Sequence, residues 1–334
     1  MGPAVFFRQK KKELLCLGMV LFLMPGGHPL LAQELFPLSE PASTIPKGAL
    51  GIRLFSENYR EIYQWRNMTY LRLMYGLAPR LSVYGSIIAS NHHGDKLPVE
   101  FPFHNTPERG KIYPYKFNGF WLYGKYRFLS LDGPKSHFRM AGYLSGSRVK
   151  TTHHETEPNL EDGDNSGLGF GLITTILKDK FAASLTAGGI LPFVNKNVAA
   201  DPVNTLPDVP ENVYYGKAFV YKLSFGCRLL PVHYKNYEQG NLNLYAEFIG
   251  MTYGAARVDI FAGRPNEYYL ENEQYPEALK GASYIDFSPG LQYIYRSNLR
   301  IDASVTFRWL GFSYARLYPV YSIGIQRYFY FDKK

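Results

Sequence analysis

The chain of 334 residues lacks several features on which common protein functions depend. It has two cysteines, and Cys16 lies in a segment expected to be removed, so Cys227 is left without an intramolecular disulfide partner. No Gly-x-Ser-x-Gly, His-Glu-x-x-His or phosphate-binding loop motif occurs. After residue 32 no stretch approaches the roughly 18 consecutive apolar residues of a membrane helix. Any membrane crossing by the rest of the chain must therefore use strands.

Residues 1–32 have the composition of a secretory signal peptide. Arg8 and the Lys10–Lys12 run precede the apolar stretch Leu14–Met24, and a cleavage site is expected after Ala32. An uncleaved membrane anchor is the alternative, but the apolar stretch is short for a span. Loss of the signal would lower the formal charge from +9 to +6. We expect no nucleic-acid partner for an exported chain of this moderate charge.

The hairpin Trp65–Asn91 shows the pattern that organises the remaining sequence. Two long runs flank the short turn Ala78–Arg80, and each alternates apolar with mixed residues. Aromatic residues are abundant, with 28 Tyr, 23 Phe and 3 Trp making 16% of the chain. Long alternating strands rich in aromatics are typical of outer-membrane β-barrels. The sequence therefore predicts an all-β, transmembrane, antiparallel β-barrel.

Twelve strand-like runs support this fold class, within a barrel domain expected to span residues 48–331. The runs are Gly48–Ser56, Trp65–Leu77, Leu81–Asn91, Phe117–Ser130, His137–Val149, Gly167–Leu177, Phe181–Leu191, Gly216–Leu230, Leu242–Tyr253, Tyr284–Tyr295, Leu299–Leu310 and Pro319–Phe331. Residues 33–47 carry three prolines without alternation, which predicts an irregular lead-in placed in the periplasm or in the lumen. Residues 332–334 form a short charged tail.

The connections alternate in length along the chain. Short ones such as Ala78–Arg80 and Arg296–Asn298 separate long polar ones such as His92–Lys116, Pro192–Tyr215 and Gly254–Ser283. All short connections then lie at one end of the barrel and all long ones at the other. This asymmetry is typical of periplasmic turns and extracellular loops.

The last strand ends on aromatic residues. Tyr321, Ile323, Ile325, Phe329 and Phe331 share one face just before the charged tail. A terminal aromatic strand predicts recognition by the barrel-assembly machinery of a Gram-negative outer membrane, and we expect the outward face to contact membrane lipid.

Two hairpins resemble a known family. The segments MYGLAPRLSVYGSI (Met74–Ile87) and SPGLQYIYRSNLRIDASVTF (Ser288–Phe307) are similar to hairpins of the outer-membrane β-barrel "transporter" proteins of the meta-pathway phenol-degradation family. The resemblance covers about a tenth of the chain and lies in structural positions. It implies an outer-membrane channel or transporter for small hydrophobic or aromatic compounds.

Charged residues concentrate on the faces opposite the apolar ones, which would line the lumen. The basic candidates are Arg53, Arg66, Arg72, Lys125, Arg127, Arg139, Lys222, Arg228, Arg300 and Arg308. The acidic candidates are Glu57, Glu247, Asp286 and Asp302. Arginine or lysine facing lipid at mid-membrane would cost roughly 2–4 kcal/mol each, so an inward position follows once a barrel is accepted.

Three functions are compatible with this arrangement. The first is a channel passing small solutes, anionic or aromatic, through a basic lumen. The second is a closed structural or partner-binding barrel in which the same charges form a packed network and the long loops bind a partner. The third and least favoured is a surface enzyme, because Ser90-Asn91-His92 reverses the order needed for an outer-membrane phospholipase dyad. We expect no enzyme and no cofactor.

Histidines cluster in two of the long loops. His92, His93, His104, His153 and His154 lie there near acidic residues. Two loops brought together could bind a divalent metal through imidazole nitrogens. Adjacent histidines on one strand point apart, so we expect no metal site.

Overall fold

A computed structural model describes most of the chain that follows the expected signal peptide. The described residues are 36–60, 65–91, 115–149, 157–163, 165–199, 209–233, 239–260, 280–311, 313 and 317–331. Within these ranges no helix is both long enough and apolar enough to cross a membrane.

Twelve long antiparallel strands close into a barrel. They are β1 (Ala49–Arg60), β2 (Trp65–Ala78), β3 (Leu81–Ser90), β4 (Lys116–Asp132), β5 (Ser136–Val149), β6 (Gly167–Lys178), β7 (Phe181–Pro192), β10 (Ala218–Leu230), β11 (Asn241–Tyr253), β13 (Ala282–Tyr295), β14 (Leu299–Leu310) and β15 (Val320–Tyr330). Each strand pairs with its neighbours in sequence, and β1 pairs with β15 from Ala49↔Tyr330 to Tyr59↔Val320. Closure leaves no free sheet edge in the membrane, where unpaired backbone groups are costly.

The alternation predicted for the first hairpin is present in the barrel wall. On β2, Leu71 and Leu73 are 41% and 49% exposed on the outer surface, whereas Tyr70 and Met74 are buried inside. Outward apolar and inward mixed side chains are the arrangement of a barrel that faces lipid. The predicted fold class is confirmed, with short turns at the periplasmic end and long connections at the extracellular end.

Two of the long connections contain regular structure that the sequence analysis assigned to loops. The short strands β8 (Asn195–Ala199), β9 (Val209–Tyr214) and β12 (Arg257–Ile260) form a separate three-stranded sheet in the order β12-β9-β8. They follow or precede the extracellular ends of β7, β10 and β11. Backbone pairing between neighbouring hairpins continues there beyond the barrel, and runs this short give too little alternation to be recognised.

Two irregular segments lie inside the barrel. The N-terminal segment, Phe36–Lys47, precedes β1 and occupies the periplasmic half of the lumen. The loop segment, Glu157–Gly163, belongs to the connection between β5 and β6 and occupies the extracellular half. Both are largely buried, with Phe36, Ala42, Ile45, Glu157 and Leu160 at most 2% exposed.

Candidate functional site

The N-terminal segment crosses the lumen and contacts strands on all sides of the wall. Its backbone amides donate hydrogen bonds to wall side chains at three points: Ile45 N to Ser82 Oγ (2.8 Å), Ala42 N to Thr175 Oγ1 (2.8 Å) and Leu38 N to Glu247 Oε1 (2.9 Å). An irregular segment has no partner strand for these amides, so wall side chains satisfy them instead. The segment is thus held by the inward polar residues of the barrel.

Glu40 is the central charged residue of this segment. Its Oε1 accepts a hydrogen bond from Arg72 Nη1 at 3.0 Å, and its Oε2 accepts one from Lys125 Nζ at 3.1 Å. Lys125 is fully buried and also donates to the Pro41 carbonyl at 2.7 Å. One carboxylate therefore compensates two cations inside the barrel, where an uncompensated charge would be costly.

The pKa of the Glu40 carboxyl reflects the same arrangement. Burial raises this pKa, but the positive charges of Lys125 and Arg72 outweigh it and lower the pKa below its usual 4.5. Glu40 is therefore ionised at neutral pH, and its charge state favours the bound position of the N-terminal segment.

A row of aromatic rings supports both cations. Tyr84, Tyr123 and Tyr143 stack in turn with centroid separations of 5.2 and 5.3 Å, and Trp121 stacks on Tyr123 at 5.0 Å. The row follows the inward faces of β3, β4 and β5. The Arg72 guanidinium lies 4.9 Å from the Trp121 ring, and the Lys125 ammonium lies 5.4 Å from the Tyr84 ring. Contact with ring faces adds to the stabilisation of the two cations that bind Glu40.

A second charged cluster holds the beginning of the N-terminal segment. The Arg300 Nε donates to both Asp302 oxygens at 2.8 Å, and Arg53 Nη2 lies 3.5 Å from Asp302 Oδ2. The same arginines donate to backbone carbonyls, Arg53 to Pro37 at 2.7 Å and Arg300 to Phe36 at 3.2 Å. Both arginines thus contribute to binding an uncharged stretch of chain.

Gly76 marks the closest approach between this segment and the wall. A Cβ at Gly76 would overlap the Pro46 carbonyl, so a residue with a side chain cannot occupy this position without displacing the segment. The absence of a side chain on β2 allows the segment to lie directly against the strand.

Hydroxyl groups and apolar packing hold the loop segment, in addition to the ion pair between Glu161 and Lys222. The two Glu157 oxygens accept hydrogen bonds from Tyr284 Oη and Ser313 Oγ, each at 2.6 Å. Asp162 Oδ1 accepts one from Tyr70 Oη at 3.0 Å, and Leu160 packs into the main apolar cluster of the lumen. Asn159 also donates to Asp162 within the segment. The loop segment therefore has its own contacts with separate parts of the wall.

Two small cavities lie between the two segments. One of about 70 Å³ is lined by residues that include Arg53, Arg72 and Asp162, and one of about 80 Å³ by residues that include Tyr123 and Tyr284. Glu40 and Lys222 line both. In the part of the chain that the structure describes, the lumen is filled rather than open.

The residues predicted to line the lumen take different positions. Eight are buried inside the barrel: Arg53, Arg66, Lys125, Arg300, Glu57, Glu247, Asp286 and Asp302. Five are partly exposed on inward positions, Arg72, Arg127, Arg139, Lys222 and Arg228, and Arg308 is exposed near the extracellular end of β14. Arg127 and Arg139 lie toward the periplasmic rim, where Arg127 donates to the Pro79 carbonyl and Arg139 to Ser43.

The principal partner of the basic residues was not predicted from the sequence. The predicted carboxylates of the lumen were Glu57, Glu247, Asp286 and Asp302, whereas Arg72 and Lys125 pair with Glu40. Glu40 lies in a proline-rich stretch without alternation, so strand periodicity assigns it no face. The excess of inward basic residues was the one available indication that another carboxylate enters the lumen.

The loop histidines are not part of this site. His92, His93, His104, His153 and His154 lie outside the described residues. Among the residues that are described, no cluster of three or more His, Cys, Asp or Glu side chains could hold a metal ion.

Comparison with known proteins identifies the fold. No family model and no curated protein sequence matches the chain. The structure is similar to an outer-membrane channel from Pseudomonas putida F1, with a TM-score of 0.52 and 12% identity over 89% of this chain and 100% of that one. Weaker similarities include the outer-membrane phospholipase A of Escherichia coli (TM-score 0.35, 8% identity, 94% of this chain and 97% of that one). Another weak similarity is to Salmonella typhi OmpF in complex with daunomycin (TM-score 0.35, 9% identity, 84% of this chain and 97% of that one).

The closed antiparallel barrel and its similarity to the structure from Pseudomonas putida F1 confirm the predicted fold and outer-membrane location. The resemblance to the phenol-degradation family and the prediction that the chain is not an enzyme stay predictions.

Proposed function

We propose that the protein is an outer-membrane channel for small anionic solutes that is closed at rest by its own N-terminal segment. Displacement of Phe36–Lys47 would open a passage lined by basic side chains. The observation that carries this proposal is the pairing of one carboxylate on a removable segment with two basic residues of the wall, at 3.0 and 3.1 Å.

The filled lumen supports a closed resting state. The two cavities of about 70 and 80 Å³ are smaller than the engineered cavity of about 150 Å³ that holds one benzene molecule. Both segments lie across the route that a solute of that size would take through the barrel. Transport therefore requires movement of at least the N-terminal segment, which has no regular secondary structure of its own between Phe36 and Pro46.

The charge of the lumen supports the choice of anions. Glu40 leaves with the N-terminal segment, and Arg72 and Lys125 then lose the carboxylate that compensates them. Arg53 and Arg300 lose the carbonyl groups of Pro37 and Phe36 at the same time. Opening thus exposes cations within low-dielectric walls, which raises the local anion concentration. The similar protein from Pseudomonas putida F1 is an outer-membrane channel, which adds support from the fold.

A reversible crosslink tests the proposal. The Ser39 and Ser224 hydroxyls are 2.6 Å apart, close to the roughly 2.05 Å of a disulfide bond, so cysteines at both positions should pair. The variant Ser39→Cys/Ser224→Cys, made with Cys227→Ser, would be studied in planar bilayers. We expect no conductance when oxidised, and on reduction openings whose reversal potential in a salt gradient indicates anion preference.

Deletion of Phe36–Ile45 removes most of the segment and should give larger openings in the same assay. The oxidised sample is the matched control for the reduced one. If neither the reduced protein nor the deletion variant conducts, and the deletion variant stays silent when the loop segment Glu157–Gly163 is also loosened, the channel function is wrong. Openings with cation preference would refute the proposal that basic residues select the solute, but the channel function would stand.

A closed barrel that binds a partner is the second candidate. The three-stranded sheet β12-β9-β8 gives the extracellular end a folded surface, and the lumen is filled. This candidate predicts that the deletion variant, although folded, has no conductance, even when the loop segment is also loosened. The same measurement therefore separates the two functions.

A further inference from the structure

Lys222 contacts both segments that fill the lumen. It lies on the inward face of β10, and its Nζ donates to Glu161 Oε2 of the loop segment at 2.9 Å. The same ammonium group donates to the Leu38 carbonyl of the N-terminal segment at 3.3 Å. Its side chain is only 16% exposed and lines both cavities between the segments. One partly buried cation thus bridges two pieces of chain that are distant in sequence.

The loop segment is attached independently of the N-terminal segment. Glu157 binds Tyr284 on β13 and Ser313 beyond β14, and Asp162 binds Tyr70 on β2. These strands lie at separate places around the barrel, so the loop segment spans the extracellular half of the lumen. Removal of the N-terminal segment alone leaves all these contacts in place. Two obstructions therefore stand in series along any path through the barrel.

We propose that the loop segment Glu157–Gly163 is a second gate of the channel, and that Lys222 couples it to the N-terminal segment. The inference rests on the proposed channel function and assigns its regulation. Displacement of the loop segment removes Glu161 from Lys222, and the ammonium group is then free to turn away from the Leu38 carbonyl. The N-terminal segment loses a contact, and its release becomes easier. Coupling between two sites is reciprocal, so release of the N-terminal segment also loosens the loop segment.

Conductance in planar bilayers tests the two gates in series. The loop segment is loosened by Tyr284→Phe/Ser313→Ala, which removes both hydroxyl donors to Glu157, or by Glu157→Gln as a second variant. The N-terminal gate is opened by deletion of Phe36–Ile45. We expect the deletion alone to give small or brief openings, and the combination to give a conductance larger than the two separate variants together.

The control at the same end of the barrel is Ser283→Ala. Ser283 forms an exposed hydrogen bond with Thr252 at 2.7 Å, and no described contact joins it to the loop segment. It should leave the conductance of the deletion variant unchanged. If the deletion alone already gives the full conductance of the combined variant, the loop segment is not a gate. If no variant conducts, the channel function itself fails.

A labelling experiment tests the role of Lys222 without relying on conductance. A single cysteine replaces the buried Ser39 in a Cys227→Ser background, and its reaction rate with a charged maleimide reports release of the N-terminal segment. Allosteric coupling typically changes such equilibria by about 5-fold or more. We therefore expect Tyr284→Phe/Ser313→Ala to increase the labelling rate about 5-fold or more.

The same pair of substitutions is then repeated with Lys222→Met. If Lys222 carries the coupling, Lys222→Met raises the basal rate and the loop substitutions no longer increase it. An equal increase in both backgrounds would overturn the role of Lys222, and no increase in either would overturn the coupling. Circular dichroism and heat-modifiable mobility confirm that each variant is a folded barrel.

Discussion

The wall of the barrel and the two segments inside it follow different physical rules. The wall is made of strands whose backbone groups pair with each other, so its side chains are free to alternate between lipid and lumen. The N-terminal and loop segments have almost no backbone pairing of their own, and inward side chains of the wall satisfy their amides, carbonyls and carboxylates. The barrel can therefore exist without the segments, whereas the segments depend on the barrel.

The two segments also differ from each other. Glu40 binds two cations, so electrostatic attraction holds the N-terminal segment. Glu157 accepts hydrogen bonds from two hydroxyls and Leu160 packs into the apolar cluster, while Glu161 pairs with Lys222, so the loop segment combines neutral contacts with an ion pair. Changes in hydroxyl groups should therefore act mainly on the loop segment, whereas changes in charge can act on both.

Truncation of the wall should have the largest effect. Deletion of Phe329–Phe331 removes the end of β15, where Phe329 pairs with Leu50 of β1, and the expected recognition element for assembly. We expect no folded barrel in outer-membrane fractions, as measured by heat-modifiable mobility. Deletion of Phe36–Ile45 is the comparison, and it should leave a folded barrel. A truncated protein that still assembles would contradict the assignment of insertion to this strand.

Glu40→Gln should release the N-terminal segment without unfolding the wall. The substitution leaves Arg72 and Lys125 without a carboxylate, and breaking a buried ion pair in this way costs about 3–5 kcal/mol. We expect more frequent channel openings in planar bilayers and an unchanged circular dichroism spectrum. Asp179→Asn is the matched control, because it removes the same charge at an exposed position in the turn between β6 and β7, and no described side-chain contact joins Asp179 to the N-terminal segment. If Glu40→Gln and the control variant changed the frequency of openings equally, the Glu40 carboxylate would not be what holds the N-terminal segment.

Gly76→Ala tests the close approach between segment and wall. The new methyl group overlaps the Pro46 carbonyl, and crowding of this kind costs about 1–3 kcal/mol. We expect faster maleimide labelling of a cysteine at position 39. Gly124→Ala is the control, because a Cβ at Gly124 meets no atom within 4 Å. If Gly76→Ala and Gly124→Ala both label at the rate of the parent protein, the segment accommodates a methyl group at Gly76 without being released.

Acid should give the smallest effect within an accessible pH range. The pKa of Glu40 is lower with the segment bound than its usual 4.5, so its contribution to closure is complete well above pH 4.5 and is lost as pH falls through the lowered value. At pH 4.5 fewer than half of the molecules are protonated at Glu40. Conductance should therefore rise only at more acidic pH, and the Glu40→Gln variant should lack that rise. Openings that begin near neutral pH would point to another group.

The inward position of Arg72 and Lys125 could be predicted, but their bond to Glu40 could not. Both lie on strands whose alternation assigns them to the face opposite the outward apolar residues, and that assignment needs only local sequence. Glu40 and Glu157 lie in irregular stretches, and their contacts join residues more than 30 positions apart. Local periodicity gives no information about such pairs.

The amino-acid sequence by itself determined the wall: twelve alternating runs, an even number of strands and short turns at one end. The physical reason is that side-chain alternation and backbone pairing in a lipid environment depend on each strand and its neighbours. The tertiary structure alone decided that the lumen is filled and which carboxylates fill it. Whether an irregular segment enters a barrel depends on the summed charge, shape and hydrogen-bonding capacity of the closed wall, and that environment exists only after the strands have paired.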